Sequence, residues 1–235
     1  MSTQSLSTEA VIGLDLGTSG VKAVLLTAAG ELVAEAGAPL EVSRPQPLWS
    51  EQAPADWWQA IDAALLRLRE SAGPHWSQVR ALAVAGQMHG AVLLDAAGGV
   101  LRPAILWNDG RSQAECDELE AREPATRRIT ANRAMAGFTA PKLLWVAKHE
   151  PDVFARTAKV LLPKDWLVWR LCGQMSTDTS DAAGTLWLDV ARRQWSEAML
   201  AACGMRVQQM PALHEGPEPV GTLRDEWASR WELPR

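Results

Sequence analysis

Ile12-Gly13-Leu14-Asp15-Leu16-Gly17-Thr18-Ser19-Gly20-Val21-Lys22-Ala23-Val24-Leu25-Leu26 sets two runs rich in Val, Ile and Leu on either side of a short Gly-Thr-Ser-Gly turn. That pattern predicts a β-hairpin. After Ala28-Ala29-Gly30, the run Glu31 to Ala36, apolar around Leu32 and Val33, predicts a third strand. Gly17 and Gly20 allow the backbone a positive φ or a close approach to a ligand. Their N–H groups, with the hydroxyls of Thr18 and Ser19, form a concave donor surface suited to phosphate oxygens, and Lys22 adds a positive charge on the outgoing strand. Asp15 stands out, because a carboxylate beside a phosphate is repelled unless a divalent cation lies between them or it orients a water. A strand–turn–strand carrying Asp15 therefore reads as a nucleotide–Mg²⁺ site, unlike the strand-to-helix P-loop, whose lysine pattern is absent. The competing reading is a tight hairpin whose aspartate caps the turn.

Composition narrows the class. A chain of 235 residues with 47% hydrophobic and 22% charged residues is ordinary for a globular protein with a proper core. A net charge of −5 provides no basic footprint, so neither nucleic acid nor an anionic membrane is an expected partner. Cys116, Cys172 and Cys203 are far apart and odd in number, which disfavours a disulfide framework and suits a reducing cytoplasm. The segment Met1 to Thr8 lacks the charged and apolar regions of a signal peptide, residues 1–10 are expected to be disordered, and no apolar stretch approaches the ~20 residues of a membrane span. The aromatic bias is strong: 12 Trp, no Tyr and only two Phe. Most of these indoles are expected in the core, with one or two left to receive the C–H face of a sugar.

Beyond the meander, Ser43 to Trp49 is a proline-punctuated link, and Ser50 to Ala72 predicts a helix with Trp57, Trp58, Ile61, Leu65, Leu66 and Leu68 at helical spacing. Val79 to Ala85 predicts a strand, and Ala91 to Leu94 with Val100 to Trp107 predict a hairpin. Helices are expected over 112–123, 141–148, 166–171, 196–202 and 223–231, with short strands at 160–162 and 186–190. The Ser-, Thr- and Asp-dense segment 176–184 predicts a loop. A meander followed by alternating helices and short strands argues for one α/β domain with a mixed sheet flanked by helices. The last helix runs straight into Leu233-Pro234-Arg235, which suggests an incomplete protein.

Loops at strand ends are where α/β proteins place ligands, and three here carry polar groups: 15–22, 86–90 and 107–111. Gln87 and His89 offer amide and imidazole groups for hydroxyls, with Met88 as soft packing, although a lone His after a strand is also a common structural residue. Trp107, Asn108, Asp109 and Arg111 can hold a polyol by hydrogen bonds and stacking; Asp109 with Arg111 equally reads as a cap with a salt bridge. Thr177 to Asp181 is a further candidate rim or a solvated turn, and Lys164-Asp165 an ion pair or cap. Neither a Ser-His-Asp arrangement nor a His/Cys metal cluster is present in the pattern.

With these loops in hand, the sequence resembles the N-terminal part of bacterial xylulokinases, within the FGGY carbohydrate kinases. The resemblance rests on IGLDLGTSGVKAVLL at 12–26, PLWSEQ at 47–52, AGQMHG at 85–90, RPAILWNDGR at 102–111, GFTAPKLLWV at 137–146, LLPKDWL at 161–167 and SDAAGTLWLDV at 180–190. It implies a ribonuclease H-like (actin-like ATPase) fold over 11–235, and ATP- and Mg²⁺-dependent phosphorylation of D-xylulose. By the same resemblance Asp15 lies near metal and phosphates, and Gly17, Thr18, Ser19, Gly20 and Lys22 form the phosphate turn. Met88 and His89, with Trp107, Asn108 and Asp109, would line the sugar. A homodimer is an allowed assembly. Relatives run to about twice this length, and their general-base aspartate lies in a second half that this chain lacks, so the isolated chain is expected to turn over poorly. Another ketose such as ribulose, or a non-catalytic sugar-binding module, are the alternatives. A two-metal nuclease needs several carboxylates around Asp15, where the sequence supplies Gln87 and His89 instead.

Overall fold

The computed structural model describes residues 9–234. Most of the segment expected to be disordered lies outside them, but Ala10 is already the first, fully buried residue of β1 (Ala10–Leu16). Along β1 every second side chain is buried, which puts Ile12, Leu14 and Leu16 on the core face and Val11, Gly13 and Asp15 on the other. β2 (Gly20–Thr27) and β3 (Leu32–Pro39) complete the meander, and β5 (Val79–Gly86) adds to the other side of β1 in parallel, giving the order β3-β2-β1-β5. A parallel partner requires a crossover. It is supplied by α1 (Pro54–Ala72), whose Trp57, Ile61, Leu65 and Leu68 are buried in one cluster with Ile12, Leu14, Val21 and Leu25.

The predicted helix from Ser50 begins later, at Pro54. Glu51 and Gln52 instead form the two-residue β4 (Glu51–Gln52), paired antiparallel with β7 (Ala104–Ile105), because both side chains are buried and hydrogen-bonded across the chain. The predicted hairpin at 91–107 survives as isolated bridges, Leu94 to Val100 and Ala91 to Ile105. Its first strand, β6 (Val92–Leu94), pairs along its length with β8 (Lys159–Leu161) instead. This small ladder divides two apolar clusters: Val92, Leu94 and Leu161 join the one under the sheet, while Leu93 and Val160 join the second. Alternation along a strand lets it serve both.

The second cluster is built by α2 (Gln113–Arg122), α3 (Thr126–Thr130), α4 (Thr139–His149), α5 (Pro151–Arg156) and α8 (Glu197–Ala202), with β10 (Leu188–Asp189) and β11 (Gln194–Trp195) as a short hairpin. The helices expected from Pro141 and Trp166 start earlier, at Thr139 in α4 and at Pro163 in α6 (Pro163–Cys172), since proline is well tolerated in a first turn. Segment 176–184 is not a loop. It holds β9 (Ser176–Asp178), paired in parallel with β12 (Ala212–His214), and α7 (Thr179–Ala183), whose N–H at Asp181 donates to the Asp178 carboxylate at 2.9 Å. The polar density that suggested a loop is a helix cap. No helix of the described residues is long and apolar enough to cross a membrane.

α9 (Asp225–Trp231) closes over α1. Trp231 is fully buried, its indole N–H donates to Asp62 at 2.9 Å, and its carbonyl accepts from Trp76 at 2.8 Å. Trp231→Ala should therefore cost about 3–5 kcal/mol of folding free energy. Urea unfolding followed by circular dichroism reads this directly, and a loss under about 1 kcal/mol would show that α9 is not an integral part of the core.

Candidate functional site

Asp15 is the penultimate residue of β1, opposite Lys22 on β2 and Ala85 on β5. It is exposed and makes no hydrogen bond or ion pair among the described residues. Lys22 pairs with Glu35 at 2.9 Å, but both are more than half exposed, and such a pair holds little energy against a phosphate. The turn itself is closed by the Gly17 N–H donating to the Gly20 carbonyl at 3.0 Å. Neither glycine takes a positive φ, contrary to one expectation. Gly20 is required by packing, since a Cβ there would lie 2.8 Å from the Ala38 carbonyl oxygen of β3.

From this turn a chain of hydrogen bonds reaches the other two loops. The Thr18 hydroxyl donates to Gln87 Oε1 at 3.0 Å and accepts from the Trp107 indole N–H at 2.9 Å. Gln87 Nε2 donates to Gln52 Oε1 at 2.9 Å, and Gln52 Nε2 donates to the Thr18 carbonyl at 2.8 Å. Trp57 Nε1 completes the set by donating to Gln52 Oε1 at 3.0 Å. The three loops read from the sequence are thus one site, and Gln52 is the residue that reading missed. It sits within PLWSEQ, but a two-residue strand leaves no periodicity to find it by.

His89 occupies the left-handed region, with φ 65°, and its ring stands edge-on to Phe138 at 4.6 Å. Its Nδ1 lies 2.9 Å from the Gly184 carbonyl. A carbonyl only accepts, so Nδ1 carries the hydrogen and Nε2 is left as an acceptor. Burial, and then the charge of Lys142, lowers the imidazole to about 4, so the ring is neutral. A Cβ at Gly184 would lie 2.4 Å from the ring, so any larger residue there displaces the imidazole. Met88 beside it is 45% exposed, and Trp107 at 44% is the one exposed indole of the twelve. With its N–H engaged by Thr18, Trp107 offers a ring face, and the exposed Asn108 adjoins it.

Asp109 has a different position from its loop neighbours. It is 2% exposed, accepts from the Ser50 N–H at 2.6 Å, and is gripped by Arg111 at 2.7 Å. Arg111 in turn lies over the Trp49 ring at 3.7 Å and pairs with Glu51, which also binds Arg102. Of the two readings of Asp109 with Arg111, the buried salt bridge is the one observed, and it anchors the loop at the Ser50 N–H. Likewise Asp178 and Asp181 face Lys164 at 3.0 and 3.5 Å, and Lys164 binds Asp165 at 2.6 Å. Segment 177–181 is therefore an ion cluster on a helix cap. Burial raises Asp181 to about 6 against the pull of Lys164.

As for a metal, no group of three or more His, Cys, Asp or Glu side chains among the described residues could hold one unaided. Asp15 alone suits Mg²⁺, which commonly takes one or two carboxylates and completes its shell with waters and substrate phosphates.

Compared with known proteins, residues 10–235 match the N-terminal domain of the FGGY family of carbohydrate kinases. The chain is 59% identical over 223 residues to a xylulose kinase of Escherichia coli (strain K12), covering 94% of this chain and 46% of that protein. Its fold superimposes on a crystal structure described as a xyloylose kinase from Brucella ovis with a TM-score of 0.94 at 52% identity, covering 97% of this chain and 47% of that one. For a xylulose kinase from Rhodospirillum rubrum the TM-score is 0.90 at 33% identity, over 96% and 47% of the two chains. The chain spans about half the length of the curated relatives it matches.

The imidazole geometry has a measurable consequence. The unfolded chain takes up the His89 proton near pH 6.5 and the folded chain only near 4. This contribution to stability is therefore complete above pH 6.5 and is lost as pH falls toward 4. A histidine NMR titration should place the His89 midpoint near 4, and His89→Asn, which tolerates the left-handed backbone, should flatten the fall of the urea midpoint between pH 6.5 and 4. A midpoint at the ordinary value would contradict the buried, neutral ring.

Proposed function

The chain belongs to the FGGY family of carbohydrate kinases, and from this premise we propose that it is the sugar-binding half of a kinase that phosphorylates D-xylulose to D-xylulose 5-phosphate with ATP. The observation that carries the reading is the hydrogen-bonded chain from Trp107 through Thr18 and Gln87 to Gln52, which closes back on the Thr18 carbonyl. It joins a phosphate-type turn to loops that carry the groups a polyol needs: an imidazole acceptor, an indole face and a thioether.

In this reading a ketopentose lies against Met88, His89, Trp107 and Asn108. His89 Nε2 accepts a hydroxyl hydrogen, the Trp107 ring receives C–H groups, and Met88 packs the apolar edge. Asp109 takes part by holding its loop. The backbone N–H groups of 17–20, with the Thr18 and Ser19 side chains and Lys22, face the phosphates. Asp15 would hold Mg²⁺ there, which supplies neutralisation of the charge that develops on the transferring phosphoryl group. The carboxylate that removes the hydroxyl proton is assigned to the part of the relatives' length that this chain does not span. Free Cys116, Cys172 and Cys203 are consistent with a cytoplasmic enzyme.

Calorimetric titration of the 235-residue chain tests this. D-xylulose should bind more tightly than D-ribulose, and His89→Ala should weaken it by about tenfold or more, the value of a lost hydrogen bond in a shielded site. A coupled ADP-release assay should show little turnover by the chain alone. Absence of D-xylulose binding refutes the substrate, tighter D-ribulose binding favours the other ketose, and turnover at rates typical of an intact kinase refutes the division into halves.

A further inference from the structure

Lys142 is fully buried in α4, within the otherwise apolar run Ala140-Pro141-Lys142-Leu143-Leu144. Burial, partly offset by the charge of Asp109, lowers the Lys142 amine to about 7, and an amino group withdrawn from water is costly unless its donors are used. Here Nζ donates to the His89 carbonyl and to the Gly137 carbonyl, each at 2.8 Å. The Thr139 hydroxyl adds a second donor to the same His89 carbonyl at 3.1 Å. That carbonyl belongs to a non-glycine residue at φ 65°, a conformation that persists where its surroundings over-determine it. Gly137 abuts the other loop, and a Cβ there would fall 2.5 Å from the Trp107 carbonyl oxygen. One amino group thus ties the backbone beneath His89 to the backbone behind Trp107. It contacts neither the imidazole Nε2 nor the indole face.

We propose that Lys142 is a positioning residue for the sugar: its buried amino group, helped by Thr139, holds the His89 and Gly137 carbonyls so that the imidazole acceptor and the Trp107 face stand at a fixed separation. The identity of the ligand rests on the sugar-binding reading above, whereas the geometry does not. Packing alone is an inadequate explanation. A methionine of similar length would fill the same space without a desolvated charge, and such replacements are often neutral or stabilising when nothing depends on the charge. Lys142→Met leaves two carbonyls without their donor, and the loops they belong to are those that carry the pocket.

The test uses the 235-residue chain with Lys142→Met, Lys142→Arg and Thr139→Val. Urea unfolding establishes that each variant folds. Imidazole ¹⁵N shifts of His89 then report its tautomer, and calorimetry reports D-xylulose affinity. In folded Lys142→Met the single Nδ1–H signature of His89 should give way to averaged shifts, and the dissociation constant should rise by about tenfold or more. Thr139→Val should move both in the same direction by less, and Lys142→Arg, longer and forked, should rescue neither. A folded Lys142→Met with native His89 shifts and native affinity overturns the proposal. Should that variant fail to fold, Thr139→Val decides it: native shifts and affinity overturn it, and altered ones support it. If the unaltered chain binds no D-xylulose, the sugar reading fails, while the His89 shifts still decide the role of Lys142.

Discussion

Two facing carboxamides hold this site together. Strand-end loops have left the hydrogen-bond ladder of the sheet, so their mutual register depends on side chains. Gln52 and Gln87 provide it: Gln52 Oε1 accepts from both Trp57 and Gln87, while Gln52 Nε2 spans the Thr18 and Glu41 carbonyls at 2.8 and 3.0 Å. Gln87 is pinned at its own backbone as well, its N–H donating to the Leu16 carbonyl at 2.8 Å as β5 leaves β1. The donor and acceptor ends of each amide are matched, so a carboxylate or an apolar side chain at either position strands a buried partner. Because Trp57 belongs to α1, the same contact couples the hydrophobic core to the turn that follows β1. Shifting the packing of α1 would therefore shift the ligand loops.

What could be read from the chain itself follows the range of the forces involved. The alternation in Ile12 to Leu16 and the helical spacing of Trp57, Ile61, Leu65 and Leu68 are local signals of burial, and both elements were found. Glu51-Gln52 and Ser176-Thr177-Asp178 are strands through partners dozens of residues away, β7 and β12, and nothing local marks them. The same distinction separates the site residues. His89, Met88 and Trp107 lie in loops after strands, where position alone raises suspicion. Asp109 shared that position, yet its carboxylate turns inward because Arg111, stacked on Trp49, is the nearer partner. Lys142 left one trace in the sequence, a cation inside an apolar helical run, and that trace says buried without saying what it holds.

A division between exposed and buried polar groups follows. Asp15, Met88, Trp107 and Asn108 reach solvent, and their chemistry is available to a ligand. Arg111 with Asp109, Lys142, and Lys164 with Asp165 are withdrawn from it and spend their charge on backbone carbonyls, rings and one another. Buried ions contribute little net stability, but each tolerates only a narrow geometry, because a displaced partner leaves an uncompensated charge. Fold stability is already supplied by two apolar clusters and a wealth of tryptophan. The buried charges are better understood as fixing where the loops stand.

That arrangement bears on selectivity. A flexible sugar loses conformational freedom on binding, and a pocket that must also order its own loops loses affinity twice. Here the imidazole is fixed in one tautomer by Gly184, its backbone by Thr139 and Lys142, and the Trp107 indole by Thr18. Under the proposed function a sugar hydroxyl would present its hydrogen to Nε2 while a C–H face meets the ring, and a sugar epimeric at that carbon would meet one requirement and lose the other. In the proposed reading, discrimination between ketoses of equal size would arise from the rigidity beneath the site as much as from the groups that line it, and residues that never touch the sugar would take part in choosing it.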